Sequence, residues 1–403
     1  MRFVFLSNYI NHHQIPLCER LYELMGDGFS FLQSMPVEEE RKGMGWKADA
    51  SFPWLKKLYE NEDLCVKLLD EADAAFLGWS ERPDLDRRRL SSKKTTLRMS
   101  EPVYKDGRYK FISPRGLYHK YQEHIRYRKD PVPMLCAGAY AAYDFTLMRA
   151  YPGKLFKWGY FPPFRPCMDP AGSVKGTVPD PTGSTDTSEI SEDPFIKNRD
   201  GRLSLVWAGR FIDWKHPDFP IRAASALKRK GVSFTLYMIG GGPLEDRLKA
   251  LTAELSLTSC VEFTGYRTPD ETRDIMDKCF VLLMTSDLRE GWGAVVNEGM
   301  NSGCCPVASW EAGSVPYLVK DRDNGRIYRR GSYEDFERAL MDVVSDPDHM
   351  HRMGERAYET IRDSWNGRIA ADRLFEFTRS LLAGEMVPRE EGILSRAEVI
   401  RPE

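Results

Sequence analysis

The sequence lacks several features that would assign the chain to a specialised class of protein. No apolar run approaches the roughly 20 residues that a membrane-spanning helix needs. The eight cysteines are scattered and form no CxxC pair, which argues against a zinc site or a disulfide framework and favours reduced thiols. The first eight residues become polar too quickly for a secretory signal. We therefore expect a cytoplasmic protein, held at a membrane by peripheral contact if at all.

The chain also lacks a global excess of charge of one sign. Its formal net charge is -2 over 403 residues, so nothing drives the whole molecule toward nucleic acid. Hydrophobic residues make up 42% and charged residues 29%, as in ordinary soluble enzymes. This length is sufficient for two domains with separate cores.

Short apolar runs alternate with helical patterns through residues 1–168, the predicted first domain. This alternation predicts a parallel, doubly wound sheet of the α/β class. The predicted strands are Phe3 to Leu6, Phe29 to Leu32, Ala74 to Trp79, Thr95 to Met99, Val132 to Cys136 and Leu155 to Tyr160. The predicted helices include Pro16 to Leu24, Pro114 to Arg128 and Ala141 to Arg149.

The pattern stops at residues 169–202, which are rich in Gly, Pro, Ser and acids and predict a partly flexible linker. It restarts at Leu203 and predicts a second α/β domain over residues 203–365. A helix over 366–383 follows, with Ala370, Leu374 and Phe377 on one apolar stripe. The last residues, 384–403, predict a polar, frayed tail.

Two carboxylates, Glu290 and Glu298, bracket a glycine-bearing turn and the start of a helix. The apolar run Phe280 to Met284 precedes them and predicts a buried strand, and seven residues separate the two acids. A strand, a glycine turn and a helix N-terminus form a nucleotide or anion site in open α/β sheets. The alternative is that both glutamates are solvated helix charges, but the Gly291-Trp292-Gly293 turn and the flanking strands favour the site.

Arg210 and Lys215 lie five positions apart, where the first strand of the second domain turns into a helix. Fixed cations at this place can stabilise the charge that grows on a diphosphate leaving group without a metal ion. The alternative is a surface ion pair. No DxD-like acids follow a strand, so we expect no metal requirement.

The run Gly240-Gly241-Gly242-Pro243 ends another predicted strand and would let the backbone approach a ligand closely. An ordinary turn would have the same composition. Gly265 and Tyr266 end the next predicted strand, where the tyrosine ring is a candidate for stacking on a base or for ordinary surface packing.

Together these segments resemble the retaining family-4 glycosyltransferases of the GT-B fold, most closely those of bacterial capsule and exopolysaccharide synthesis. The resemblance rests on the E-x7-E spacing of Glu290 and Glu298 within EGWGAVVNEGMNSGCCPVAS, and on the G-R-x4-K run that contains Gly209, Arg210 and Lys215. It covers residues 203–380 well and the first domain thinly. The family usually has glycine where this chain has His216.

The resemblance implies two Rossmann-like domains that face a central cleft, with the final helix crossing back to the first. It implies that Glu298 binds the ribose, that Glu290 binds the donor sugar, and that the amides of Gly291, Trp292 and Gly293 contact the sugar or diphosphate. Gly209, Gly240, Gly241, Gly265 and Tyr266 would lie near the nucleotide. The donor would be a UDP- or GDP-linked sugar, and no cofactor would be required.

In the first domain, Asn8, His12 and His13 follow the first predicted strand, and Glu101 follows the fourth. The resemblance places both segments at the cleft, where His13 could act in catalysis and Asn8, His12 and Glu101 on the acceptor. The alternatives are a structural role for one histidine and a loop charge at Glu101. The acceptor would be a sugar, a lipid-linked molecule or another hydroxyl compound.

Residues 81–130 contain 15 Lys/Arg against 7 Asp/Glu, a local excess of +8. Such a region fits contact with an anionic membrane or a lipid-diphosphate acceptor, and equally a solvated basic face. No nucleic-acid motif accompanies it, so we expect no nucleic-acid partner.

The sequence therefore predicts a metal-independent, retaining glycosyltransferase of polysaccharide or glycolipid synthesis, acting at the inner face of the plasma membrane or in the cytoplasm. One alternative is a noncatalytic sugar-nucleotide-binding or scaffold protein of a polysaccharide assembly complex. An epimerase or a phosphorylase on the same fold is a further enzyme alternative, although no additional phosphate or cofactor site is visible in the sequence.

Overall fold

A computed structural model describes residues 1–38, 51–105, 107, 113–166, 202–329 and 331–402 of the chain. Within these residues the chain forms a seven-stranded sheet followed by a six-stranded sheet. The strands within each sheet are parallel to their neighbours. The predicted α/β architecture of two doubly wound domains is confirmed.

The first sheet has the strand order β3-β2-β1-β4-β5-β6-β7. Every residue of β1 is buried, as expected of a strand that is covered by helices on both faces. Its strands are β1 (Phe3–Ser7), β2 (Phe29–Gln33), β3 (Leu55–Lys57), β4 (Ala74–Leu77), β5 (Thr95–Ser100), β6 (Met134–Ala137) and β7 (Leu155–Trp158). The helices of this domain are α1 (Ile15–Met25), α2 (Glu62–Glu71), α3 (Pro83–Ser91), α4 (Pro114–Glu123) and α5 (Ala141–Leu147).

The second sheet has the order β10-β9-β8-β11-β12-β13. Its strands are β8 (Leu203–Ala208), β9 (Phe234–Ile239), β10 (Val261–Gly265), β11 (Val281–Met284), β12 (Cys305–Ser309) and β13 (Arg326–Tyr328). Its helices are α6 (Asp218–Arg229), α7 (Glu245–Glu254), α8 (Pro269–Met276), α9 (Val295–Asn301), α10 (Val315–Leu318), α11 (Tyr333–Val344), α12 (Pro347–Asp363) and α13 (Gly367–Leu382). A capping box between Thr268 and Glu271 starts α8, so its first amides are satisfied locally.

Several elements of the first domain differ from the prediction. Strands β4 and β7 end at Leu77 and Trp158, two residues before the predicted ends, and helix α3 was not predicted. The helix predicted to reach Arg128 ends at Glu123, because His124 leaves helical geometry and buries its ring, with Nδ1 3.0 Å from the Tyr151 hydroxyl. The short strand β3 was not predicted, because its three residues include two lysines and carry no alternating apolar pattern. The predicted linker 169–202 lies outside the described residues except for Arg202.

The last helix, α13, packs against α1 of the first domain. Arg20 Nε donates to Asp372 Oδ1 at 2.8 Å across this contact. Gly367 opens α13 so close to α1 that a Cβ there would lie 2.7 Å from Pro16 Cβ. The end of the chain thus ties the second domain to the first.

A buried polar junction forms a second link between the domains. The side-chain oxygen of Asn301 accepts hydrogen bonds from the Arg165 backbone N–H at 2.8 Å and from Arg273 Nη2 at 2.7 Å. The side-chain Nδ2 of Asn301 donates to the Arg165 carbonyl at 3.0 Å. Arg273 is buried on α8, and burial lowers the pKa of its guanidinium. Because each of these groups finds a partner, the junction holds the chain that leaves the first domain against α8 and α9.

The tail predicted to be frayed is instead ordered against the first sheet. Ile393 and Leu394 are fully buried, and the Leu394 amide donates to the Lys157 carbonyl at 2.9 Å. Arg396 pairs antiparallel with Phe156 of β7. The prediction was wrong because the edge of β7 offers unpaired backbone groups and an apolar face that composition alone does not reveal. Within the described residues, no helix has both the length and the apolar character needed to cross a membrane.

Candidate active site

The carboxyl ends of four neighbouring strands of the second domain meet at one crevice, the usual ligand position in open α/β sheets. The Gly209 amide, just after β8, donates to the Ile239 carbonyl at 2.9 Å. The Gly240 amide, just after β9, donates to the Gly265 carbonyl at 2.9 Å. The structure therefore brings Gly209, Gly240 and Gly265 close together in space.

Close backbone approach explains the glycines at these strand ends. Gly240 has φ +124°, and a Cβ there would collide with the Gly209 carbonyl oxygen. Gly241 lies under the Tyr266 ring, where a Cβ would be 2.8 Å from ring carbon Cε2. Tyr266 itself is 49% exposed, so one side of its ring remains open for stacking.

Lys215 and Glu290 form an ion pair at the centre of this crevice. Ser286 Oγ donates to the same Glu290 oxygen at 3.0 Å, which orients the carboxylate. Thr285 Oγ1 donates to the Lys215 carbonyl at 2.6 Å and accepts from Trp207 Nε1 at 2.8 Å. Buried polar contacts thus hold the lysine segment and the strand end β11 in fixed register.

Arg210 differs from Lys215 because its side chain is exposed and forms no ion pair within the described residues. The next residue of interest, His216, has φ +45° and ψ +55°, a left-handed conformation that favours glycine. Its ring stacks on Phe219 at a centroid distance of 4.9 Å. This geometry gives the physical reason why glycine is usual at this point, and shows that histidine adopts the same turn.

Glu298 lies on α9 of the second domain and faces two histidines of the first. His12 Nε2 and His13 Nε2 lie 3.7 and 3.8 Å from Glu298 Oε1. Burial opposes ionisation of Glu298, but the two histidines outweigh it and hold the pKa of the carboxyl well below its ordinary value. Glu298 is therefore ionised, and it shares one site with His13, predicted to be catalytic, and with His12, predicted to lie on the acceptor side.

The Glu290 turn presents three backbone amides that have no partner among the residues the structure describes. The N–H groups of Gly291, Trp292 and Gly293 donate no hydrogen bond within the described part of the chain. Three consecutive donors at a helix N-terminus suit an anionic or hydroxyl-bearing ligand. The Gly291 carbonyl packs closely against Gly138 and Gly313, because a Cβ at either of these positions would collide with it.

The side chain of Trp292 points away from this crevice and into the interdomain core. It is 1% exposed, its Nε1 donates to Asn297 Oδ1 at 2.8 Å, and its ring lies against Gly159 of the first domain. Any contact of Trp292 with a ligand is thus left to its backbone, and the indole acts as a spacer that sets the distance between the domains.

Glu101 reaches the Glu290 turn from the first domain. Its carboxylate accepts from the Tyr160 hydroxyl at 2.7 Å, pairs with Lys105, and lies against Gly291, where a Cβ would collide with it. Burial and the nearby carboxylates of Glu101 and Glu290 raise the pKa of Tyr160 well above its usual range, so the hydroxyl stays protonated.

Sequence reasoning did not select Tyr160. Its ring lies 6.0 Å from His13 and 6.4 Å from Trp292, so it is surrounded by site residues from both domains. The sequence carried only a weak signal for a functional Tyr160. The residue is the polar end of the apolar run Leu155 to Tyr160, and the whole run was assigned to a strand. Asn8, which was selected, instead uses its side-chain oxygen on the Tyr9 amide at 2.8 Å.

The basic region 81–130 is less available than its composition indicates. Arg89 is 1% exposed, and its guanidinium donates to the carbonyls of Leu69, Ala72, Asp73 and Thr95. Arg88 pairs with Asp70, and Lys93 pairs with Asp130. Arg89 therefore does not belong to a basic surface, because its guanidinium closes the gap between α2, α3 and β5. Residues 106 and 108–112 lie outside the described range.

Comparison with known families matches residues 189–360 to the family described as "Glycosyl transferases group 1". This segment contains Arg210, Lys215, Glu290 and Glu298, which the structure gathers at one crevice. The match covers the second domain, which supports the predicted resemblance where its motifs are densest.

Curated relatives align over part of their length. The chain is 29% identical over 172 residues to the lipopolysaccharide core biosynthesis glycosyltransferase LpsE of Rhizobium meliloti, covering 43% of this chain and 48% of that protein. It is 25% identical over 240 residues to a GDP-mannose-dependent phosphatidylinositol monomannoside mannosyltransferase of Mycolicibacterium smegmatis, covering 56% and 60%. The chain thus spans about half the length of the curated relatives it matches.

Solved structures agree over nearly the whole chain. HepE of Anabaena in complex with UDP has a TM-score of 0.67 at 14% identity, covering 94% of this chain and all of that one. Sucrose-phosphate synthase of Thermosynechococcus elongatus has a TM-score of 0.65 at 13% identity, covering 96% and 100%. The predicted GT-B fold is thus confirmed over both sheets, and residues 189–360 match the glycosyl transferases group 1 family.

Proposed function

We propose that this protein is a retaining glycosyltransferase that moves a sugar from a nucleotide-diphosphate donor to a hydroxyl group. The observation that carries the proposal is the crevice at the ends of β8 to β11. It combines an ion-paired Lys215 and Glu290, an exposed Arg210, and three backbone amides that donate no hydrogen bond to the described part of the chain. Cations and donors held in this way stabilise a charge that develops on a leaving group.

The nucleotide would bind at the glycine-bearing strand ends of the second domain. Gly240 and Gly241 allow the backbone to approach the nucleotide, and the open side of the Tyr266 ring suits the base. Glu298 is ionised and can accept hydrogen bonds from two adjacent ribose hydroxyls, with His12 and His13 as its neighbours. The donor would be UDP- or GDP-linked, as HepE has been solved with UDP-glucose and the mycobacterial relative is named as GDP-mannose-dependent.

Donor cleavage would proceed without a metal ion. Lys215 and Arg210 would contact the diphosphate, and the amides of Gly291 to Gly293 would hold the sugar or its phosphate. Glu290 would bind sugar hydroxyls, since its pairing with Lys215 and its bond from Ser286 make it a poor nucleophile. The leaving phosphate oxygen would then take the acceptor proton on the face that the diphosphate leaves, which retains the anomeric configuration.

The acceptor would enter from the first domain. Glu101 is held by Tyr160 and Lys105 against the Glu290 turn, a position from which its carboxylate can orient an acceptor hydroxyl. His13 lies next to Tyr160 and would contact the acceptor or the transferred sugar. We place His12 and Asn8 on the same side, with His12 supporting Glu298 and Asn8 shaping the loop.

Helix α4 is the part of the basic region that best suits a lipid-linked acceptor or an anionic membrane. None of its residues is buried, and Leu117, Tyr118 and Tyr121 are 42%, 62% and 51% exposed. Arg115 and Lys120 flank this apolar surface. We propose peripheral contact at the cytoplasmic face, in keeping with seven free cysteines in the described residues. Leu117→Glu should reduce sedimentation with anionic vesicles, and no vesicle binding by the unaltered chain would exclude the contact.

A thermal-shift panel with UDP, GDP, ADP and CMP, each with EDTA or with Mg²⁺, tests the donor site first. A ligand at a hundredfold excess over its Kd stabilises the folded state by about 2.7 kcal/mol. We expect UDP or GDP to raise the melting temperature by the same amount with EDTA as with Mg²⁺. If no nucleotide shifts the transition, the proposal is wrong.

Transfer assays with sugars linked to the nucleotide that binds then distinguish an enzyme from a scaffold protein. We expect donor hydrolysis, or transfer to added acceptors, that Lys215→Ala abolishes. A protein that binds the nucleotide yet neither hydrolyses nor transfers its sugar with any acceptor would favour the noncatalytic alternative. Conversion of the donor to its epimer, or phosphate-dependent release of sugar phosphate, would identify the other enzyme classes.

A further inference from the structure

We propose that His12, His13 and Glu298 form a binding site for a divalent transition-metal ion of the zinc class, which bridges the two domains. The three ligand atoms, one ring nitrogen of each histidine and one carboxylate oxygen, lie within 4.8 Å of one another. Two histidines and one glutamate are a donor set that zinc uses where it keeps a fourth position open. The ion would not take part in sugar transfer.

The separations of the ligand atoms suit such an ion. His12 Nε2 and His13 Nε2 lie 3.7 and 3.8 Å from Glu298 Oε1, which is too long for hydrogen bonds. A tetrahedral ion with bonds of about 2.0–2.1 Å spaces its ligands about 3.3–3.4 Å apart. Each nitrogen–oxygen separation exceeds this spacing by only a few tenths of an ångström, and one nitrogen of each ring lies within 4.8 Å of the other, so side-chain rotation would let both rings reach an ion bound to Glu298.

The backbone holds these side chains in place before any ion binds. The His13 amide donates to Asn11 Oδ1 at 2.9 Å, and the His13 carbonyl accepts from the Phe161 amide at 3.2 Å. The two imidazole rings lie 3.8 Å apart. Glu298 is one turn into α9, whose short length leaves its carboxylate at the crevice. The side chains of His12, His13 and Glu298 are 20%, 16% and 13% exposed, so the site has access to solvent.

The ligand set brings one carboxylate and two imidazoles to the ion, and each imidazole would bind it as a neutral ring. Arg273 is near enough for Glu298 to influence its pKa, and it adds one positive charge. Its guanidinium is engaged by Asn301 and Ser302, which keeps it out of the cluster.

The ion and the nucleotide would exclude each other, because we also propose that Glu298 binds the ribose. This consequence depends on the proposed function, whereas metal binding itself does not. Transfer would then be independent of added Mg²⁺ and inhibited by Zn²⁺. The same ion would hold the two domains together in the absence of donor, since its ligands come from both.

Titration of the metal-stripped full-length protein with Co²⁺ and Zn²⁺ at pH 7.5 tests the site. We expect one equivalent to bind, with visible Co²⁺ absorption typical of low coordination number. His12→Ala, His13→Ala and Glu298→Gln should each weaken binding at least tenfold, whereas His119→Ala, an exposed histidine on α4, should not change it. Melting curves without metal establish that each variant is folded.

Failure to bind one equivalent would overturn the proposal, as would equal affinities for the unaltered protein, His12→Ala and His13→Ala. Binding through the cysteines instead would be lost after thiol alkylation and retained in the histidine variants, which also overturns it. UDP or GDP should raise the apparent Kd for Co²⁺. Metal binding that neither nucleotide affects would leave the metal site standing and count against the ribose role of Glu298.

Discussion

Lys215 and Glu290 form an ion pair although they are 75 positions apart in the chain. Lys215 follows the first strand of the second domain, and Glu290 follows the strand next to it in the sheet, so parallel strand order places both at the same edge. The exposed Arg210 follows the same strand as Lys215, and the three amides that follow Glu290 donate to no group within the described residues. We propose that a diphosphate would replace the Glu290 carboxylate as the partner of Lys215.

We expect Lys215→Ala to reduce kcat for sugar transfer by about 10²–10³, the usual effect of removing one group that stabilises developing charge. Lys249→Ala is the matched control, because Lys249 forms an exposed ion pair with Glu245 on the same domain. Steady-state rates and melting temperatures of both variants are the measurement. Near-normal kcat in folded Lys215→Ala would contradict a diphosphate-binding role for this lysine.

Gly138→Ala should displace the Glu290 turn. Gly138 has φ +110°, and its added methyl would collide with the Gly291 carbonyl across the domain interface. Gly153→Ala is the control, because Gly153 also has a positive φ, +70°, but has no atom within 4 Å of a Cβ. Both variants should lose about 1–2 kcal/mol of folding stability to backbone strain. We expect only Gly138→Ala to lose donor binding and transfer as well, and equal activities would refute the steric argument.

Because of Asp86 on α3, we expect the folding stability of the protein to fall as pH rises. Burial raises the pKa of Asp86 from 3.8 to about 6, and the negative charge of Asp84 adds to this rise. The charges of Arg98 and Arg87 and a hydrogen bond from Ser80 lower the pKa, but by less. A carboxyl with a raised pKa holds its proton longer in the folded state, so folding stability decreases between pH 4 and pH 6 and stays low above it. The two pKa values correspond to at most about 3 kcal/mol.

Asp86→Asn should therefore raise the free energy of unfolding at pH 7.5 and change it little near pH 4. Asp84→Asn on the same helix is a control of opposite sign, because its pKa is lowered to about 2 by hydrogen bonds from Arg82. The folded state favours ionised Asp84, so its contribution is present above pH 4 and is lost as pH falls toward 2. Urea unfolding at both pH values measures both variants. A destabilised Asp86→Asn at pH 7.5 would show that Asp86 is ionised and well paired.

Truncation after Gly384 should destabilise the first domain. The removed segment buries Ile393 and Leu394 and pairs with β7. Burial of each such side chain contributes about 1.5–3 kcal/mol, so a loss of about 3–6 kcal/mol is expected. Truncation after Glu398 is the control, because it removes Val399, which is 53% exposed. Equal unfolding midpoints for the two shortened chains would contradict a docked tail.

The local pattern of the chain was sufficient to predict most elements of both sheets. Strands β1 and β2 begin at the predicted Phe3 and Phe29, because buried parallel strands have apolar patterns that are read along the chain. Gly209 and Gly240, which the resemblance places near a nucleotide, lie at the ends of neighbouring strands. Their places follow from strand order, which alternation in an α/β chain strongly restricts.

Contacts between distant surfaces were decided only by the tertiary structure. The burial of Arg89, the docking of Ile393 and the position of Tyr160 beside Glu101 depend on which faces meet, and no local period records that. The convergence of His12 and His13 on Glu298 likewise requires two domains to close on each other. The sequence by itself determined the two sheets and the chemistry at their carboxyl ends. The tertiary structure decided how the domains face each other, because side chains far apart in the chain share an environment only after both sheets have formed and packed.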